Sequence, residues 1–208
     1  MNVAVIGAGV VGSTLAKALA AKGHTVTFGA RDSGSDKVSR ALATTPGATA
    51  MPIAEAVRWA DAVILATPWS GTEAALSAAG DFAGKPLIDA TNPLTPTYAL
   101  ALGHTSSGGE QVQAWAPTAR VVKMFNSTGW ENMAEPGYPA GRAAMVYCGD
   151  DSEAKKIAAG LAGDLGFEPL DLGALNGARL LEPAAMLWIR LAVMQKLGRG
   201  IAFGLLRR

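Results

Sequence analysis

The 208-residue chain carries 18 Lys plus Arg against 17 Asp plus Glu, a net charge of +1, which excludes the basic field that nucleic acid or an anionic membrane surface would select. Half of the residues are hydrophobic and 17% are charged, the composition of a globular protein with a sizeable core. The single cysteine, Cys148, can form neither an intramolecular disulfide nor a cysteine-built metal site, and His24 and His104 lie too far apart for a metal-binding tract.

The chain opens on an apolar strand, Val3–Ile6, with no basic segment or cleavage site of a signal peptide, so a soluble cytoplasmic protein is the expectation. Gly7-Ala8-Gly9-Val10-Val11-Gly12 follows directly and opens a helix over Val10–Ala21. In a dinucleotide-binding turn the first glycine makes the bend and the second lets backbone approach a pyrophosphate. The third brings helix and strand together, and the free N–H groups of the helix face the phosphates. A second strand over Thr25–Phe28 runs into Gly29-Ala30-Arg31. A small residue therefore stands where an NAD site places its acid, and the Arg31 guanidinium can fork onto a 2′-phosphate, with Ser33 and Lys37 adding donors. This favours NADP; a shift of one residue would instead offer Asp32 to the NAD ribose.

Helical patterns follow over Lys37–Leu42, Ile53–Trp59 and Gly71–Ala79, with strands over Ala62–Ala66 and Pro86–Asp89. Thr67-Pro68-Trp69 and Asn92-Pro93 lie just past the two strand ends, where ligands bind in open α/β sheets. Trp69 reads equally well as core, and Asn92 as a turn former before Pro93. Thr91–Ala119 is rich in turn formers and reads as a long binding loop containing His104, a solvated histidine rather than a general acid. Strands over Arg120–Met124, Ala143–Tyr147 and Phe167–Leu170 and a helix over Asp151–Ala162 complete the alternation. Asp150 and Asp151 are expected to cap that helix, and Cys148 to be buried and inert.

The fold class is α/β, a Rossmann doubly wound and mostly parallel sheet over residues 1–172. Residues 173–208 form a short C-terminal helical annex. There Leu180, Ala184, Leu187, Leu191, Met194, Gly198, Ile201 and Leu205 recur as one helical stripe. Leu181, Ala185, Trp188 and Ala192 form a second. The combined face is wide enough to pack on the domain and on a partner subunit, so a homodimer is expected.

With these motifs in place, the sequence resembles the small dinucleotide-binding oxidoreductases related to NADPH-dependent coenzyme F420 reductases, and the reductase domain of animal metalloreductases. The resemblance rests on GAGVVG at 7–12, GAR at 29–31, TPW at 67–69 and NP at 92–93. It extends to KMFNSTGWENM at 123–133, CGDD at 148–151 and PLDLGALNGARLLEP at 169–183. It implies hydride transfer between NADPH and a flavin-like ring, with F420 or a flavin as co-substrate. It also implies that Gly7 to Gly12, Ala30, Arg31, Ser33, Thr67, Pro68 and Trp69 hold NADP. Asn126, Ser127 and Thr128 would border nicotinamide and acceptor, and Leu175 and Asn176 would close the pocket.

No catalytic acid stands out. The Tyr-x-x-x-Lys pair of short-chain dehydrogenases is missing, since Tyr98 is followed four later by Leu102 and Tyr138 by Arg142. Two other readings fit the glycine loop: a reductase of a small imine or carbonyl substrate, and a non-catalytic NADPH sensor. The 36 residues after Leu172 are too few for the large helical domain that the β-hydroxyacid dehydrogenase and pyrroline-carboxylate reductase types require.

Overall fold

A computed structural model describes residues 1–208. In chain order the elements are β1 (Asn2–Ile6), α1 (Val10–Ala21), β2 (Thr25–Ala30), α2 (Asp36–Thr44), β3 (Thr49–Pro52), α3 (Ile53–Trp59), β4 (Ala62–Leu65) and α4 (Thr72–Ala79). They continue with β5 (Pro86–Asp89), α5 (Gly108–Trp115), β6 (Arg120–Lys123), α6 (Trp130–Ala134) and the short hairpin strands β7 (Gly137–Tyr138) and β8 (Gly141–Arg142). Last come β9 (Ala144–Gly149), α7 (Ser152–Leu165), β10 (Glu168–Asp171) and α8 (Ala178–Ile189). No helix is long and apolar enough to cross a membrane.

The main sheet has the order β10-β9-β6-β5-β4-β1-β2-β3. Every pairing is parallel except β6 with β9, so β9 and β10 run against the rest. This is the expected doubly wound α/β sheet, and its strand order reverses between β1 and β4. Both faces are covered, which explains the unbroken apolar runs. Val3 and Val5 of β1 enter one core layer with Leu15 and Leu19 of α1 and Leu161 of α7. Ala4 and Ile6 enter the other with Val57 of α3, Leu76 of α4 and Val112 of α5. A strand with period two thereby feeds two cores.

Besides the short α6 and the β7–β8 hairpin, which the sequence reading did not include, three elements depart from expectation. β3, an edge strand only half buried, has too little apolar signal to be read from sequence. The stretch 91–119 is not all loop, because α5 starts at Gly108. Ser107 caps that helix, accepting the Glu110 N–H at 3.2 Å while its hydroxyl donates to the Glu110 carboxylate at 2.7 Å. Ser-x-x-Glu at 107–110 was the available signal.

The C-terminal stripe is not one helix either. α8 passes into a π-helical turn, Arg190–Met194, and ends where Lys196 (φ 58°) and Gly198 (φ +88°) turn left-handed. The rest is a strap that folds back over the domain. Trp188 Nε1 donates to the Ile201 carbonyl at 2.6 Å, and Ala144 N–H donates to the Phe203 carbonyl at 2.8 Å. The buried stripe of α8 is the second one, with Leu181, Ala185, Trp188 and Ala192 at 3% exposure or less. Leu180 and Leu187, from the first, are 66% and 52% exposed.

Candidate nucleotide site

At the switch point between β1 and β4 the backbone leaves two adjoining clefts at the carboxyl ends of the strands. The first, about 690 Å3, follows Ile6 to Ala8, Gly29 to Asp32, Ser35, Lys37, Val38 and Thr67 to Pro68. The second, about 530 Å3, is lined by Gly9 to Val11, Ala66 to Ser70, Ala90 to Asn92 and Leu94 to Pro96. Lys37, Thr67, Pro68 and Ser70 border both, so the two form one continuous trough across the switch point.

The three glycines of the loop are required for different reasons. Gly7 has φ +112°, and a Cβ there would lie 2.5 Å from the Ala66 carbonyl oxygen. At Gly12 a Cβ would come within 1.9 Å of the Gly7 oxygen, so helix and strand could not approach. At Gly9 a Cβ would meet only the end of the Lys37 side chain, at 3.7 Å, an ordinary contact. Protein packing does not demand a glycine at that position. The open space lies at the N-terminus of α1, where Gly9 is the N-cap, no side chain caps the helix and no acid occupies the first turn. Unfilled amides at a helix start favour an anion, and the missing Cβ is the room a phosphate needs. These residues fit a dinucleotide diphosphate.

β2 extends to Ala30, two residues beyond the expected end, so Arg31 is the first residue past the strand. Asp32 spends Oδ1 on the Gly34 N–H at 3.0 Å, closing a turn. Neither Arg31 nor Lys37 is engaged in an ion pair. Two uncommitted cations therefore border the first cleft, as a phosphorylated ribose would require.

Of the residues expected at the cofactor, Gly7 to Val11, Ala30, Arg31, Lys37, Thr67, Pro68, Trp69 and Asn92 line the trough. Gly12 shapes the loop from beneath. Ser33 does not line it, and Ser35 stands there instead. Pro93 is buried, its ring 3.1 Å from where a Gly108 Cβ would be. Trp69 is both lining and core: its ring packs against Trp115 with centroids 5.2 Å apart.

Asn126, Ser127, Thr128, Leu175 and Asn176 line neither cleft. Asn126 follows Phe125, which holds φ 61°, and its amide donates to Asn92 Oδ1 at 3.1 Å. Thr128 accepts from Asn132 at 2.8 Å. Leu175 is 4% exposed, and its N–H donates to Asp150, which therefore does not cap α7; Asp151 does, accepting the Ala154 N–H at 2.8 Å. His104 is exposed with φ 60°. His24 pairs with Asp164 at 3.1 Å. Cys148 is fully buried, and burial pushes its thiol up to about 12, well above reactive range.

Sequence reasoning missed the buried ions Asp89, Lys123 and Glu182, all at 0% exposure. A charge closing the apolar strand Arg120–Lys123 and another inside the buried stripe of α8 were the readable signals. Burial alone would discharge Lys123, but the attraction of Asp89 and Glu182 outweighs it and raises the ammonium pKa above its ordinary value.

Comparison with known proteins gives the same architecture a context. A family model described as NADP oxidoreductase, coenzyme F420-dependent, matches residues 2–93. The crystal structure of a protein provisionally assigned as an F420-dependent NADP-reductase, from Arthrobacter sp. FB24, shares 34% identity over 99% of both chains with a TM-score of 0.89. A hypothetical protein from Sinorhizobium meliloti shares 26% identity over 100% of this chain and 96% of its own, at a TM-score of 0.76. The rat metalloreductase STEAP3 is 31% identical over 183 residues; that match covers 87% of this chain and 36% of STEAP3, so the chain spans about a third of that relative.

Proposed function

The chain belongs to the family of coenzyme F420-dependent NADP oxidoreductases and is an NADP-dependent oxidoreductase, and on that premise we propose that it passes a hydride between NADPH and a flavin-like or deazaflavin acceptor. The observation that carries the choice of acceptor is the lining of the second cleft. It holds Val10, Val11, Trp69, Leu94, Pro96, Asn92, Thr91 and Thr95, and Lys37 at its border is the only titratable side chain. A carbonyl or imine substrate commonly draws a proton from a side chain as it accepts hydride. A flavin-like ring takes the charge into its own conjugated system and needs alignment instead. Apolar and aromatic walls with a few amide and hydroxyl groups suit a flat heterocycle.

In this reading NADPH, when bound, supplies the hydride. The α1 amides at Gly9 to Val11 hold its diphosphate, Lys37 lies over the same opening, and Arg31 with Ser35 receives the 2′-phosphate in the first cleft. Thr67 and Pro68 cross between the clefts, directing the nicotinamide toward Ala90 to Asn92. Trp69 and Leu94 exclude water from the transfer. We also infer that the exposed stripe of α8, with Leu180, Leu187 and Met194, meets a second copy of the chain, a self-complementary patch of the kind twofold dimers use.

An acceptor panel tests the reading directly. NADPH absorbance is followed with F420, FMN, FAD, quinones, ferric chelates and a cyclic imine. Turnover with F420 or a flavin, at rates well above the other acceptors, is expected. Turnover with the imine alone overturns the acceptor assignment, and tight NADPH binding without turnover on any acceptor points to a sensor.

A further inference from the structure

Three ionised side chains are buried together where α8 meets the sheet, and none of them lines a cleft. Lys123, at the last position of β6, donates to Asp89 Oδ2 at 2.9 Å and to the Thr91 carbonyl at 2.7 Å. It pairs with Glu182 Oε1 at 3.0 Å. Asp89 Oδ1 accepts both the N–H and the hydroxyl of Thr91, at 2.9 and 2.7 Å. Glu182, on α8, also accepts the N–H groups of Gly108 and Gly109 at the start of α5, at 2.8 and 2.9 Å.

A second link runs beside the first. Asn126 Nδ2 donates to Asn92 Oδ1 at 3.1 Å and to the Leu181 carbonyl at 3.2 Å, while Asn92 Nδ2 donates back to the Asn126 carbonyl at 2.9 Å. Consecutive residues of α8, Leu181 and Glu182, thus each reach the Thr91–Asn92 segment through one intervening side chain. Thr91 and Asn92 are wall residues of the second cleft.

Two carboxyl groups share one ammonium in this dry cluster, and two amides at a helix start point at Glu182. Stability alone does not select such an arrangement, since apolar groups of similar volume are often neutral or better. The ions contribute direction: Lys123 holds the Thr91 carbonyl itself, and it holds Asp89, which in turn fixes the Thr91 N–H and hydroxyl.

We propose that Lys123 and Glu182 are positioning residues that hold the Thr91–Asn92 wall from α8 and thereby set the place of the nicotinamide end of the bound dinucleotide; this rests on the NADP reading above. The C-terminal annex is then part of the cofactor site without touching the cofactor.

The test separates the two halves of the trough. Lys123→Met and the double variant Lys123→Met/Glu182→Gln, which keeps the net charge of the cluster, are titrated with adenosine 2′,5′-bisphosphate and with NADPH, and bound NADPH fluorescence is recorded. The bisphosphate spans the first cleft and the α1 amides but stops short of the Thr91–Asn92 wall, so its Kd should stay within about twofold of wild type, while the NADPH Kd rises about tenfold and the nicotinamide fluorescence loses its enhancement on binding. Parallel weakening of both ligands, unchanged binding of both beside a lowered melting temperature, or failure of both variants to fold would assign the cluster a structural role alone and overturn the proposal. A wild-type protein that binds neither ligand overturns the NADP reading itself.

Discussion

Gly7 and Gly12 stand where a methyl group would strike backbone, whereas Gly9 has room for one, and single substitutions can separate folding from binding on that basis. Gly12→Ala puts a carbon 1.9 Å from a carbonyl oxygen and must push α1 off β1, so a loss of about 2–4 kcal/mol in stability is expected by thermal melting. Gly9→Ala should change stability by no more than about 0.5 kcal/mol yet weaken NADPH at least about tenfold, because the methyl fills the space proposed for a phosphate. Wild-type affinity in Gly9→Ala, measured by calorimetry, would remove the diphosphate from that loop. Arg31 makes the complementary test. Arg31→Ala should cost NADPH about 2 kcal/mol, the range of a charged hydrogen bond, and leave NADH nearly unchanged. Equal losses for the two nucleotides would place the 2′-phosphate elsewhere.

Among the elements, helix α6 and the C-terminal strap meet at one side chain. Asn132 donates to the Ile201 carbonyl at 2.8 Å, to the Arg199 carbonyl at 3.2 Å and to Thr128 at 2.8 Å, and it accepts the Tyr138 hydroxyl at 2.6 Å. Trp188 packs beneath, so close to Gly129 that a Cβ there would lie 2.5 Å from the ring. Arg199 adds an ion pair with Glu131 and sits 5.5 Å over the Trp188 ring. Asn132→Ala leaves the Arg199 carbonyl and the Tyr138 phenol without this partner and the Ile201 carbonyl with Trp188 alone, costing about 1–3 kcal/mol. Limited trypsin digestion should then cut near Lys196 and Arg199 sooner than in wild type while the sheet stays resistant. An unchanged cleavage rate would mean that the strap is held by other contacts. The stripe that continues through Ile201 and Leu205 carries the right period for a helix, but Gly198 and the strap's bonds to Asn132, Trp188 and β9 prevail over it.

For the molecule as a whole, the exposed leucines of α8 are where the proposed pairing of two copies is tested. Leu187→Asp changes a residue 52% exposed in the single chain, so it should leave the fold and its melting intact at low concentration while halving the mass seen by light scattering. A wild-type monomer, or a variant with wild-type mass, would show that this face meets solvent. The alternation of apolar runs with amphipathic stretches and the glycine spacing were sufficient to determine a doubly wound sheet and a tight glycine turn opening α1, because they are local patterns tied to backbone geometry. Ser-x-x-Glu at 107–110 marked α5 just as locally. Which α8 stripe is buried, where the last helix stops, and which polar residues meet behind the cleft were decided only in three dimensions. Asp89, Lys123 and Glu182 come from three separate segments, and an ion pair formed across such distances leaves no period in the sequence. Only the packed sheet, by excluding water around them, makes partners of them.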